Sequence, residues 1–248
     1  MAIVPLLKSK HSELKLATFD LRDFSGLPSF PIYLNEIKHL VCNHPLFFNE
    51  NTNTCELRLL CNIDSQSGSA WITDEGRWVG GYVPAFLRHQ PFSAYGIEEG
   101  EEVGIFVDDT SPRLQGKGSP LFENSEPTKL LKTIVSSMEQ IYAVGRTTQL
   151  ALDCISNLNL IKPWEAKIKS GDTEEILVKG LQCINEKILN ELNANQMKDL
   201  NDVSAFPLIY GQLFSMRNLD KLIAIQNSRS ASELGFSLNT SGDQVASE

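Results

Sequence analysis

Residues 127–163 read PTKLLKTIVSSMEQIYAVGRTTQLALDCISNLNLIKP. Within them Leu131, Ile134, Met138, Ile141, Gly145, Thr148, Leu152 and Ile155 recur at steps of three and four, which places them on one stripe of a helix. Pro127 suits a first helical turn, with Ser125 or Glu126 as the cap, and Pro163 stops the run. A break near Gly145 is expected, because glycine weakens a helix interior. The stripe reads as core packing rather than as a cofactor box, so the helix needs a broad apolar surface to lie on.

That surface comes from both sides of the helix in the sequence. LFF at 46–48 and CELRLLCNI at 55–63 are strands, joined through the polar NENTNT at 49–54. LNEIKHLVCN at 34–43 carries Ile37, Leu40 and Val41 at helical spacing and stops before Pro45. VGIFV at 103–107 is a short buried strand, rich in β-branched and aromatic residues. Residues 108–127 are dense in Pro, Gly and Ser and read as a long loop without regular structure; such loops are usually functional or mobile. After the helix, WEAKIK and TEEILVKG flank Ser170-Gly171-Asp172 as a β-hairpin near 164–180, with one face on the core. Helices follow near 185–192, 194–200 and 208–225. The fold class is α+β: a twisted, mainly antiparallel sheet packed against a helical C-terminal half, with the hairpin added. Residues 1–226 are expected to form a single domain, and the polar, Ser-rich residues 227–248 a disordered tail.

The 248 residues carry 31 acidic and 22 basic side chains, a net charge of -9. That balance argues against nucleic acid and against an anionic membrane surface, both of which need a Lys/Arg surplus. No apolar run approaches the ~20 residues of a membrane helix, and no signal sequence is evident, so a cytoplasmic location is expected. Five cysteines without a C-x-x-C pair read as free thiols in a reducing compartment. The four histidines lack zinc spacing, and the nucleotide-binding and hydrolase signatures are missing; neither metal nor cofactor is expected.

Charged and aromatic residues concentrate in DEGRWVGGYVPAFLRHQPF at 74–92 and VDDTSPRLQGKGSPLF at 107–122. Arg77 and Trp78 could frame a polar ligand, or the indole could simply pack on the core. Tyr82 and Arg88 lie on an element that Pro84 opens and Pro91 ends. The Arg88 guanidinium suits a carboxylate or phosphate, or pairs with Asp108 or Asp109. Asp108 and Asp109 sit at a strand end beside Arg113, where an acid pair could act in acid–base chemistry or only shape an Asx turn. Tyr210 belongs to LIYGQLFSMRNLDKL at 208–222, mostly a core helix. A site, if present, is expected between the 77–92 element and the 108–113 loop.

These segments, together with Glu126-Pro127-Thr128 ahead of the long helix, resemble in order and spacing the SapC family of bacterial proteins. The resemblance covers roughly residues 2–224. Three departures stand out: His89 for the family's second Arg, Gln212 for the His of the closing helix, and Ile105-Phe106-Val107 for a more polar strand. The resemblance implies an association with bacterial surface layers, an old link to peptide export, and neighbours that include TonB-dependent receptors and halogenase-like flavoproteins. It brings no catalytic residues. The function expected is a soluble accessory protein of a surface-layer or receptor-linked uptake pathway, binding a protein or peptide partner. The alternative is an enzyme acting on a peptide or saccharide through Arg77, Tyr82, Arg88, Asp108, Asp109 and Arg113, so whether the chain is catalytic stays open.

Overall fold

In the computed structural model the apolar stripe forms one helix, Lys129–Asn157, about 43 Å long. The structure describes residues 3–18, 20–50, 54–63, 68–96, 103–164, 166–170, 173–178, 180–229 and 236–238, with the backbone alone for 166–170, 173–178 and 236–238. The helix cap is Thr128, whose hydroxyl accepts the Leu131 amide at 3.3 Å; Glu126–Pro127 instead pairs with Phe122–Glu123. The helix does not break at Gly145. The Tyr33 ring fills the space beside that glycine, 3.5 Å from where a Cβ would stand, so tertiary packing overrides the weak local propensity.

The strands form two main antiparallel sheets. The larger has the order Ile161–Pro163, Gln182–Ile184, Leu46–Glu50, Cys55–Leu60, Ser29–Pro31. Its central strand carries Leu46, Phe47 and Phe48, all buried, as a strand covered on both faces should. Cys55–Leu60 starts by alternating Cys55, Leu57 and Leu59 inward with Glu56 and Arg58 outward. Two of the five strands lie beyond the long helix in sequence. The smaller sheet has the order Ile3–Pro5, Val103–Asp108, Phe92–Gly96.

Each sheet has its own core, and the long helix joins them. Leu131 and Met138 of its first half pack with Phe92, Val107, Leu114 and Leu121. Ala151, Leu152 and Ile155 of its second half pack with Phe30, Leu46, Phe48 and Leu57, which the helices Phe206–Ser215 and Leu219–Arg229 also cover. Buried polar side chains of these last helices satisfy strand backbone. Ser215 Oγ accepts the Leu46 amide at 3.0 Å, and Gln212 Oε1 accepts the Ile184 amide at 3.0 Å.

The 108–127 segment is more regular than its composition suggests. It holds the 3-10 turn Pro112–Leu114 and the short strand Ser119–Pro120, which pairs with Lys15–Leu16. Gly118 is required there, because a Cβ would stand 2.2 Å from the Leu16 carbonyl oxygen. The hairpin is Ala166–Ser170 against Thr173–Val178, with Phe236–Leu238 on the other side of its first strand. Whether a hairpin face meets the core lies outside the described residues. So does the conformation of the tail, except for the end of the last helix at Arg229 and the strand Phe236–Leu238.

Candidate functional site

The two sheets do not join edge to edge. Between Pro31, at the edge of the larger sheet, and Phe92–Gly96, at the edge of the smaller, lies a cavity of about 650 Å³ under the long helix. Its walls include Tyr33, His89, Ser93, Asp108, Tyr142 and Arg146. A second cavity of about 560 Å³ shares Tyr33, Ala85, His89 and Ile141 with the first and reaches Arg88. Together they make one cleft along the helix, at the junction of the two cores. Volumes of this size suit a small ligand or a short peptide segment.

One wall is the short helix Ala85–His89, and a distant carboxylate pins it. Pro84 is its cap residue and offers no side-chain acceptor. Glu36, 1% exposed, takes over that task. Its carboxylate accepts the Ala85 amide at 2.7 Å and the Tyr33 amide at 2.9 Å. Burial raises the Glu36 pKa, against the pull of those amides and of the Tyr82 hydroxyl. His89 Nδ1 lies 2.7 Å from the Ala85 carbonyl oxygen, so that nitrogen carries the proton. Burial lowers the His89 pKa, which leaves a neutral imidazole with Nε2 as an acceptor.

Beside this wall His44 is fully buried, edge-on to Trp71 at 4.5 Å and stacked against Trp78 at 5.7 Å. Burial pulls its pKa down to about 4. Gly80 closes the cluster: a Cβ there would stand 2.2 Å from His44 Nε2 and 2.8 Å from Trp78 Nε1.

The residues singled out in the sequence fall in several places. Tyr82 stacks on His39 at 4.6 Å, and the Arg88 guanidinium carbon lies 5.1 Å from the Tyr82 ring centre. Arg88 turns back to donate to the Tyr82 hydroxyl at 2.7 Å and the Val83 carbonyl at 2.9 Å, rather than to Asp108 or Asp109. Asp108 accepts the Thr110 amide and hydroxyl in an Asx turn and also lines the larger cavity. Asp109 is exposed. Arg113, its pKa lowered by burial, ties the Gln90 and Ala17 carbonyls together. Trp78 packs against the larger core, and Arg77 projects to solvent beside Glu75 at 3.5 Å. Tyr210 lies between Phe206 and Phe214 on the outer side of the closing helix, with the Phe214 side 65% exposed. Asp108 and Arg88 therefore border the cleft, with Tyr82 under Arg88; Arg77, Asp109, Arg113 and Tyr210 do not line it.

Tyr33, Tyr142 and Arg146 line the cleft and Glu36 pins its wall from behind; reading the sequence missed all four. The available signal was Gly145, which lets Tyr33 approach the helix beside Arg146.

Burial raises the thiol pKa values of Cys61, Cys154 and Cys183, and that of Cys55 to about 12, so these four are poor nucleophiles. Among the described residues no cluster of three or more His, Cys, Asp or Glu side chains could hold a metal ion, and no helix is long and apolar enough to cross a membrane.

The closing helix also explains the Gln212 departure. The side chain is fully buried and spent on the sheet backbone, so in this chain the position is structural. No curated protein matches the chain, and no solved structure does. The SapC family model matches residues 6–222, which takes in the larger sheet, two of the three strands of the smaller, the long helix, the helix Phe206–Ser215 and the start of Leu219–Arg229. With nearly the whole described fold inside that match, the chain belongs to the SapC family.

Proposed function

We propose that the protein is a cytoplasmic accessory protein of a surface-layer or outer-membrane-receptor-linked uptake pathway, and that it works by holding a segment of a partner polypeptide in the cleft under the long helix. One observation carries the reading: a cavity lies between two sheet edges, at Pro31 and Phe92–Tyr95, and a second adjoins it through Tyr33, Ala85, His89 and Ile141. The chemistry at its walls suits recognition, with apolar Met138, Ile141 and Phe92 between polar Arg146, Gln149 and Asp108. The free thiols of all five cysteines agree with a reducing compartment.

The rival reading, an enzyme acting on a peptide or saccharide, draws on His89, held neutral by burial in the cleft that Asp108 also lines. The deciding experiment is affinity capture from the native host with the wild-type chain and with Ile141→Arg, which puts a charge in the cleft. A protein retained by wild type and lost from the variant supports the binding reading. The same protein captured equally by both would overturn it. Turnover of an added peptide or saccharide, abolished in His89→Gln, would establish the enzyme instead.

A further inference from the structure

The four outer strands of the two main sheets are guarded unequally. Ile3–Pro5, Ser29–Pro31 and Ile161–Pro163 each carry a proline. In each, the ladder bonds set which groups face out. Leu6 N to Ile105 O, Ile32 N to Leu57 O and Trp164 N to Leu181 O put all three prolines where an amide would point away from the sheet. Such a proline removes the donor that a foreign strand would use. At the second of these edges the Ser29 carbonyl is also taken, by Arg58 at 3.1 Å.

Phe92–Gly96, the fourth outer strand, has no proline within it. The bond from Asp108 N to Pro91 O makes Phe92 and Val107 a non-bonded pair, so Phe92 and Ala94 direct their amides and carbonyls outward. None of these four groups has a hydrogen-bond partner among the described residues. The larger cavity runs along this edge, because it is lined by Phe92 and Ala94 from one face of the strand and by Ser93 and Tyr95 from the other.

We infer that the cleft recognises its partner by strand addition: an extended polypeptide segment pairs with the open edge of Phe92–Gly96. This deepens the binding reading above and rests on it. The surroundings of the edge also favour one kind of occupant. The long helix roofs the cleft, which admits a single extended chain more readily than the broad sheet edge of a second copy. Arg146 lines the cavity without an ion pair among the described residues, in a chain of net charge -9. The segment therefore carries an acidic side chain to meet it.

The test uses the full chain and a fluorescent pool of acetylated hexapeptide amides. In the pool, valine alternates with a varied position that includes glutamate. Binding is followed by fluorescence anisotropy. The expected result is selection of glutamate-containing members. N-methylation at alternate amides of the best binder should weaken it by roughly tenfold, and at the intervening amides much less. Ala94→Pro should lose a similar factor. In case that variant fails to fold, amide exchange on the wild type gives an independent measure. The Phe92 and Ala94 amides should exchange faster than those of Ser93 and Tyr95, and slow when peptide is added.

Binding lost in Ile141→Arg but indifferent to N-methylation and to Ala94→Pro would overturn strand addition and leave the cleft reading standing. Binding unaffected by Ile141→Arg, or no binding by any member at millimolar concentration, would overturn both. A dimer of the free protein that Ala94→Pro dissociates would place a second copy on the edge and overturn the assignment of the partner.

Discussion

Gly145→Ala should make the protein more stable and its cleft less roomy. Glycine in a helix interior costs about 1 kcal/mol against alanine, and position 145 lies within the continuous helix Lys129–Asn157. The added methyl would meet Tyr33 Cε1 at 3.5 Å and Cδ1 at 4.0 Å, ordinary contacts, with nothing closer. The position is half-buried, so the methyl adds roughly half of the ~0.8 kcal/mol of a fully buried carbon. The sum is about 1–1.5 kcal/mol, which in a chain of this size raises Tm by about 2–3 °C. Scanning calorimetry reads this directly. Gly96→Ala is the control of opposite sign, because its methyl would stand 2.5 Å from the Tyr142 hydroxyl. A Tm lowered by 2 °C or more in Gly145→Ala would refute the reasoning: the Tyr33 seat would then tolerate no extra carbon. Because Gly145 lines the cleft, the stabilised variant should also bind a cleft peptide several-fold more weakly.

Three further perturbations address the frame around the cleft. Glu36→Ala strands the Ala85 and Tyr33 amides and should cost about 2–5 kcal/mol by urea titration, with Glu36→Gln losing less. Since the folded state raises the Glu36 pKa, its contribution is full below pH 4.5 and lost as pH climbs through the raised value; the wild-type advantage over Glu36→Gln should narrow in that direction. His44 has a folded pKa of about 4 against 6.5, so the stability it supports is full above pH 6.5 and falls by about 3 kcal/mol as pH drops toward 4; urea midpoints of His44→Gln should depend less on pH in that window. Gly80→Ala drives a methyl to 2.2 Å from His44 Nε2 and should cost about 1–3 kcal/mol, seen as a lower Tm with quenched or shifted Trp78 emission.

The parts of the fold legible in the sequence are those with a long periodic signal. The long helix declares itself by eight apolar-stripe positions, and Leu46–Glu50 and Cys55–Leu60 by apolar runs around a polar turn. Ser29–Pro31 and Gln182–Ile184 are three residues each, too short to show a period, and they become strands only because longer neighbours supply the ladder. Pro127 looks like a first-turn residue, which points to a helix start slightly too early, whereas its backbone is committed to pairing with Phe122. At the site, Asp108 and Arg88 stood out as charged residues in a distinctive segment. Glu36 did not, since in LNEIKH a carboxylate reads as the wet side of a helix. Arg146 and Tyr142 likewise look like the polar flank of an amphipathic stripe. Only the approach of two separate sheet edges turns that flank into a cleft wall.

The strand order of the larger sheet sets a timetable for synthesis. Leu46–Glu50 pairs on one side with Cys55–Leu60, which follows at once, but on the other with Gln182–Ile184, which the ribosome makes much later. At about 10 residues per second the interval is roughly ten seconds. Throughout it the nascent chain presents Leu46-Phe47-Phe48 with one flank unpaired, an apolar template of the kind that recruits chaperones or neighbouring chains. A message truncated ahead of residue 182 would leave that flank open for good. Slowing translation between residues 60 and 182 should therefore lower the soluble yield, because it delays the strands that close a sheet begun by the first.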